Sequence, residues 1–170
     1  MMIVKKIVEW IDNTNNFISS FTMWLILPLI GIMLFEVIMR YAFHSPTVWG
    51  AELSSMIFGI YMIYSGPCSV YEKVQVGVDL FSSKWNPRTQ AVVHCITYIF
   101  TMVFFVSIIS LTCKYAVESW ELNEISTSAW GQPIYHWKAL IPIAYVLTFA
   151  QTISDFIRNL WLAVTGEELQ

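Results

Sequence analysis

The fold class is decided by residues 17–71, FISSFTMWLILPLIGIMLFEVIMRYAFHSPTVWGAELSSMIFGIYMIYSGPCSVY, in which two uncharged runs flank a short polar connection. Phe17–Phe35 and Leu53–Tyr71 each contain 19 residues without a charged side chain. About 20 apolar residues span the hydrocarbon of a bilayer. Because the connection is short, the two runs are expected to form antiparallel, neighbouring transmembrane helices.

Two further uncharged runs follow, Thr89–Cys113 with 25 residues and Ala139–Ser154 with 16. The last run continues to Leu160 through Asp155 and Arg158, which lie on one helical face and can pair or snorkel near the bilayer edge. Its length leaves a re-entrant or surface segment as the alternative. We predict a single all-α membrane domain, 1–170, with transmembrane helices at 17–39, 52–71, 89–113 and 138–160.

The composition agrees with a lipid environment. Only 12% of the 170 residues are charged, against roughly a quarter in an ordinary soluble domain. The net charge of -3 offers no basic footprint for nucleic acid. Cys68, Cys95 and Cys113 lie inside predicted spans without a CxxC pair, so neither a disulfide framework nor a zinc site is indicated. The first apolar run is longer than a signal-peptide core and lacks an A-x-A site, so we expect it to be retained.

The basic residues predict the orientation. Six of the nine Lys and Arg residues fall on one side of the predicted spans. These six are Lys5, Lys6, Lys73, Lys84, Arg88 and Arg158. The positive-inside rule then places both termini in the cytoplasm. Residues 3–12 separate apolar and charged side chains on a helical wheel. This predicts an amphipathic helix that lies in the cytoplasmic interface or against a partner helix, with residues 13–16 (NTNN) as a bend into the membrane. A frayed polar leader is the alternative.

The connection between the first two spans carries a set of candidate structural residues. Glu36 and Arg40 are four apart in the order that favours a helical ion pair. Pro46 suits the first turn of the second transmembrane helix. Trp49 fits the membrane interface, and Glu52 falls near the positive end of that helix.

Several other positions give structural expectations. Pro28 is expected to kink the first span, and Pro142 to lie in the first turn or so of the last. Gly59 and Gly66 are expected to let helices approach closely. The three histidines do not share a membrane face and depth, so no catalytic residue, metal site or cofactor site is indicated. On that ground no enzymatic activity is expected. The middle of every span lacks an ionisable residue, so we expect no buried charge that would carry a proton or an ion.

The motifs of this chain resemble those of the small membrane subunit, the Q component, of tripartite ATP-independent periplasmic (TRAP) transporters. "RYAFHSP" followed by "WGAE" is similar to the family's Arg-x5-Pro and Trp-x-x-Glu, which here are Arg40, Pro46, Trp49 and Glu52. "EKVQVGVDLF" is similar to the segment after the second helix, with Lys73 and Asp79, and Pro133 to Pro142 resembles the start of the last helix. Many members carry histidine where this chain has Gln75.

The resemblance implies a multi-pass subunit of a sodium-coupled secondary transporter for organic acids in the inner membrane of a bacterium or archaeon. The implied partners are a large multi-span transport subunit, a periplasmic substrate-binding protein and membrane lipids. The small subunit would brace the large one and help to dock the binding protein, with sodium bound in the large subunit and none in this chain. The four predicted spans, with no ionisable residue in the middle of any of them, agree with that role.

Two other functions remain open on the sequence. A membrane anchor of a redox enzyme would bind haem or quinone. A small homodimeric exporter would need a membrane-embedded carboxylate, for which Glu36 is the candidate. Its spacing from Arg40 favours a structural pair instead.

Overall fold

A computed structural model describes residues 2–72 and 86–166 of the chain, and the side chains of these residues apart from 2–4, 87 and 88. The described ranges consist of helices joined by short connections and hold no strand, which confirms the predicted all-α class. The helices are α1 Met2–Met23, α2 Ile26–Tyr41, α3 Gly50–Tyr71, α4 Pro87–Glu121 and α5 Tyr135–Thr165.

Four of these helical segments are long and apolar enough to cross a membrane. The first is formed by α1 and α2 together, over Lys5–Tyr41, and the others are α3, Thr89–Glu121 of α4, and α5. The chain is therefore a multi-pass membrane protein with the four crossings that its apolar runs predict. At about 1.5 Å per residue, the 35 residues of α4 are longer than a perpendicular crossing of the roughly 30 Å hydrocarbon core requires.

The first crossing is interrupted at a different place from the predicted bend. Helix α1 continues through residues 13–16, so the bend predicted there is wrong, and residues 3–12 are the beginning of a longer helix. The interruption lies at Trp24 and Leu25, one turn before Pro28. Pro28 has no N–H to donate to the Trp24 carbonyl, which instead accepts the N–H of Leu27 at 3.2 Å. The kink expected at Pro28 corresponds to this interruption of the helix.

Two other prolines lie elsewhere than predicted. Helix α3 begins at Gly50, so Pro46 precedes it by four residues and is not in its first turn. Residues 42–49 connect α2 to α3 outside either helix, and Pro46 lies within this connection. Pro142 lies inside α5, which begins at Tyr135, and is therefore beyond the first turn.

Helix α5 lies at the centre of the packing, in contact with α1, α3 and α4, while α2 packs on α3. The close approach of α3 to α5 occurs at Gly66, where an added Cβ would lie 3.3 Å from Oγ1 of Thr148. Gly66 thus has the role expected of it. Gly59 differs, because a Cβ there would meet no atom within 4 Å.

The burial pattern is inverted relative to a water-soluble protein. Most of the completely buried side chains of α5 are polar or small, including Gln151, Thr152 and Ser154. The exposed surfaces of α2 and α4 are apolar, with side chains such as Leu34 on α2 and Phe100 on α4. Lipid tails solvate apolar side chains as well as protein does, so such a bundle is joined by tight contacts and polar groups.

Candidate functional site

In the described part of the chain, two groups of polar contacts lie near opposite ends of the first crossing. The first group, the α2–α3 hairpin, comprises residues 36–52 and is built around the carboxylate of Glu36. Arg40 donates to Oε1 of Glu36 at 2.7 Å, which is the ion pair that their spacing predicts. Oε2 accepts hydrogen bonds from both the backbone N–H (3.1 Å) and the hydroxyl of Thr47. The carboxylate therefore fixes the end of α2 to the chain that leads into α3.

The start of α3 closes tightly on this carboxylate. Oγ1 of Thr47 accepts the N–H of Gly50 at 3.1 Å, which gives a partner to the first backbone N–H of the helix. A Cβ on Gly50 would lie 2.5 Å from Oγ1 of Thr47 and 2.8 Å from Oε2 of Glu36. Only glycine fits at this position without displacing the carboxylate. The sequence analysis missed Thr47, although a threonine shortly before an apolar run is a signal for a helix start.

Two more predicted residues lie beside this centre. Trp49 stacks on Phe35 with ring centroids 5.9 Å apart. Glu52 is in the first turn of α3, as expected from the helix dipole, and accepts a hydrogen bond from the hydroxyl of Ser128. The hairpin is thereby connected to the segment between α4 and α5.

That segment, residues 122–134, is folded back on itself and bound at both ends. Pro133 pairs with Ile125 in a single antiparallel bridge just before α5. The carboxylate of Glu124 accepts hydrogen bonds from Ser119 of α4 at 2.6 Å and from Lys138 of α5 at 2.5 Å. These hydrogen bonds, that of Lys138 first, hold the pKa of Glu124 below its ordinary value of 4.5.

The second group is a polar seam between α1 and α5, formed by six buried or half-buried residues. They are Asp12, Asn15, Ser19, Gln151, Ser154 and Arg158. Asp12 accepts hydrogen bonds from Gln151 at 2.9 Å and Ser154 at 3.2 Å, and it forms an ion pair with Arg158. Asn15 donates to Oε1 of Gln151 at 2.6 Å. The antiparallel helices thus interlock through side-chain amides and charges.

The seam corrects two expectations from the sequence. The helical wheel put Asp12 on the charged face of an amphipathic helix at the membrane interface or against a partner helix, but the residue is only 8% exposed and binds Gln151 of α5 in the same chain. The expectation of no buried charge is also wrong, since Glu36, Asp12 and Asp155 are all buried. Asp155 does lie near Arg158, with Oδ1 3.6 Å from Nη1, as their spacing suggested.

The sequence contains a signal for the seam that the sequence analysis missed. It is the polar stripe along one face of α1, spaced three, four and three residues apart, which consists of Asp12, Asn15, Ser19 and Thr22.

The remaining candidates are outside this geometry. Lys73, Gln75 and Asp79 lie outside the described residues. Among the residues that the structure describes, no three His, Cys, Asp or Glu side chains are grouped so that they could hold a metal ion. The two groups join helices. The carboxylate of Glu36 is bound by donors from the connection to α3, and that of Asp12 by donors from α5.

The family follows from a comparison with known sequences. The family model of the tripartite ATP-independent periplasmic transporters, DctQ component, matches residues 29–161, well over half of the chain. The chain belongs to this family. It is thus the small membrane subunit of a TRAP transporter. A search of curated proteins gave no match. The matched range contains the whole α2–α3 hairpin and the α5 side of the seam, whereas Asp12 and Asn15 precede it.

Proposed function

We propose that this DctQ subunit braces the large multi-span subunit of a sodium-coupled TRAP transporter that takes up an organic acid. The membrane is the cytoplasmic membrane of a bacterium or archaeon, and the sodium ions bind in the large subunit rather than here. One observation carries the proposal: polar side chains near both ends of the first crossing are used within the chain, while α2 and α4 present apolar faces. Such a chain supplies lateral surface to a partner.

Two glycines whose Cβ position is unoccupied by other atoms favour contact with a helix of the partner. A Cβ on Gly31 of α2 or on Gly59 of α3 would meet no atom within 4 Å. In membranes, small residues at the surface of a helix let another backbone approach closely. We assign these two positions to contacts with the large subunit. Gly66 provides the comparison inside the chain, because it already faces Thr148 of α5.

The α2–α3 hairpin and residues 122–134 supply the docking part of the proposal. They are joined by the hydrogen bond from Ser128 to Glu52 and by the contact of Gln132 with Met56. In the proposed orientation, with both termini in the cytoplasm, this joined surface faces the periplasm. A surface held by such contacts is ordered before the substrate-binding protein arrives, which lowers the entropy lost on docking.

Copurification in mild detergent from the native host tests the bracing role. The tagged chain should recover a large multi-span protein, and Gly59→Leu should recover several-fold less of it while its own melting temperature is retained. Val106→Leu, which adds one methylene group to an exposed side chain on α4 and fills no open glycine position, is the control and should recover close to the wild-type amount. The bracing proposal fails if the chain purifies without such a protein and transports an organic acid alone in liposomes.

The orientation has a separate test with cysteine chemistry. Cys113 is exposed and lies near the C-terminal end of α4, whereas Cys68 is half-buried near the end of α3. An impermeant maleimide added to intact spheroplasts should label a variant that retains only Cys113 before one that retains only Cys68. Labelling in the reverse order would place both termini in the periplasm.

A further inference from the structure

The hydroxyl group of Ser19 behaves differently from the other described hydroxyl groups of α1. Thr14, Ser20 and Thr22 each donate to the carbonyl four residues earlier, at 2.8, 2.9 and 2.8 Å. That arrangement is the usual way for such a side chain to satisfy itself inside a helix. Ser19 is 5% exposed, and its Oγ has no hydrogen-bond partner in the structure. The hydroxyl of Ser19 is thus buried without the backbone hydrogen bond that its neighbours form.

A second unpartnered atom lies one turn away in the same seam. Asn15 uses its Nδ2 for Oε1 of Gln151 at 2.6 Å and for the Leu147 carbonyl at 3.5 Å. Its Oδ1 accepts no hydrogen bond, although the residue is only 1% exposed. Residues four apart on a helix have Cβ atoms about 5–6 Å from each other. A buried donor and a buried acceptor thus lie one helical turn apart on the same face of α1, a spacing that one bridging molecule can span.

We propose that a single water molecule is bound between Ser19 and Asn15. It accepts the proton of the Ser19 hydroxyl in a hydrogen bond and donates one of its own to Oδ1 of Asn15. Two hydrogen bonds of about 2.8 Å cover the separation, and buried waters typically satisfy polar groups that otherwise lack partners. Within a membrane-spanning helix, bulk water does not solvate these atoms, so a bound molecule is the available partner.

The water completes a continuous chain of hydrogen bonds through the seam. The chain begins at Ser19, passes through the water to Asn15 and Gln151, and ends at Asp12 and Arg158. Each member then has a partner on the opposite helix or on the water. The middle of α1 and the start of its C-terminal half are in this way held to α5 by one connected network.

The sign of a stability change tests the proposal. In a dry seam, Ser19→Ala removes a hydroxyl without a partner, and the melting temperature of the purified subunit stays the same or rises. With the water bound, the substitution removes one of its hydrogen bonds and lowers the melting temperature by about 2–4 °C. Ser20→Ala, at the exposed neighbouring position, is the matched control and should leave the melting temperature unchanged.

Radiolytic hydroxyl labelling in oxygen-18 water detects the molecule directly. We expect labelling of side chains around Asn15 in the wild-type chain in nanodiscs, and a several-fold loss of that labelling in Ser19→Ala. Labelling that is absent in the wild type, or identical in the variant, overturns the proposal whatever the melting temperatures are. A melting temperature that rises with sodium chloride but not with choline chloride, and only in the wild type, also overturns it, because a cation would then occupy the site.

Discussion

The α2–α3 hairpin and the polar seam use the same chemistry over very different distances along the chain. Each has a buried carboxylate at its centre and an arginine bound to it. In the hairpin, the residues that hold Glu36 lie within 14 positions of it. In the seam, the partners of Asp12 are 139 to 146 positions away. The hairpin is therefore a local structure, whereas the seam forms only when α1 and α5 meet.

The two arginines also differ in their exposure to solvent. The carboxylate side chains are equally buried, with 10% of each exposed. The side chain of Arg40 is 52% exposed, and that of Arg158 only 30%. When the arginine is removed, Glu36 keeps the two hydrogen bonds from Thr47, whereas the seam is left with two buried carboxylates, Asp12 and Asp155, that share the lost guanidinium. Removal of the arginine should consequently cost more in the seam than in the hairpin.

The largest expected effect is that of Arg158→Met. The substitution leaves the carboxylates of Asp12 and Asp155 close together without the guanidinium, and loss of one partner of a buried pair costs about 3 kcal/mol or more. The free energy of unfolding, from a denaturant titration in detergent, should fall by that amount. Arg40→Met should produce a clearly smaller fall. Equal falls would contradict the proposed difference between the two regions.

A double variant distinguishes charge from packing in the seam. Asp12→Leu combined with Arg158→Met replaces the pair by apolar side chains, and such replacements are often neutral or stabilising. We expect the double variant to unfold at a higher denaturant concentration than Arg158→Met alone. If it is the less stable of the two, the shape of the pair matters more than its charge.

The next effect is expected at Gly50. An alanine there would force Cβ against Thr47 and Glu36, and overpacking of this kind costs about 1–3 kcal/mol. Gly31→Ala is the matched control, because its Cβ meets no atom within 4 Å. Thermal melting should show a loss for Gly50→Ala and none for Gly31→Ala. An unchanged melting temperature for Gly50→Ala would mean that the hairpin relaxes freely around Glu36.

A smaller gain is expected at His44, which has φ of 52° in the turn of the hairpin. The left-handed region is unfavourable for side chains with a Cβ, by about 1 kcal/mol. His44→Gly should therefore raise the melting temperature slightly. Asn123→Gly, at φ of 46°, is the comparison and should gain less, because asparagine tolerates this region. A decrease on His44→Gly would show that the imidazole itself stabilises the hairpin.

The differences between the two regions explain what the sequence could predict. The four crossings follow from uncharged runs, and the Glu36–Arg40 pair follows from a spacing of four on one helix. The seam could not be found in this way, because neither helix alone shows that Asp12 and Arg158 meet. The helical wheel of residues 3–12 also left open whether that helix lies in the interface or against a partner helix. In the structure, the polar side of α1 faces protein, as Asn15 shows.

The turn of the hairpin was predicted incompletely for another reason. Pro46 is typical of the first turn of a helix, but α3 begins only at Gly50, whose N–H is accepted by Oγ1 of Thr47. That contact depends on the position of Glu36 across the hairpin, which is a tertiary feature. Pro142 was likewise placed in a first turn because its neighbours are apolar from there on, whereas α5 already begins at Tyr135.

The smallest expected effect concerns pH at the segment beside the hairpin, where Glu124 joins α4 to α5. Lys138 and Ser119 hold the folded pKa of Glu124 below 4.5. A carboxylate with a lowered folded pKa stabilises the fold above its unfolded pKa, and this contribution is lost as the pH falls through the folded value. The melting temperature of the wild type should therefore exceed that of Glu124→Gln at pH 6, and the difference should shrink below pH 4.5.

The partner variant assigns that difference to the contact with α5. In Lys138→Met, the additional substitution Glu124→Gln should have much less effect at pH 6, because Lys138 is the main cause of the lowered pKa. Were the difference at pH 6 to persist in Lys138→Met, the hydrogen bond from Ser119 would hold the carboxylate by itself. The connection between α4 and α5 would then depend on α4 alone, and the segment beside the hairpin would be as local a structure as the hairpin itself.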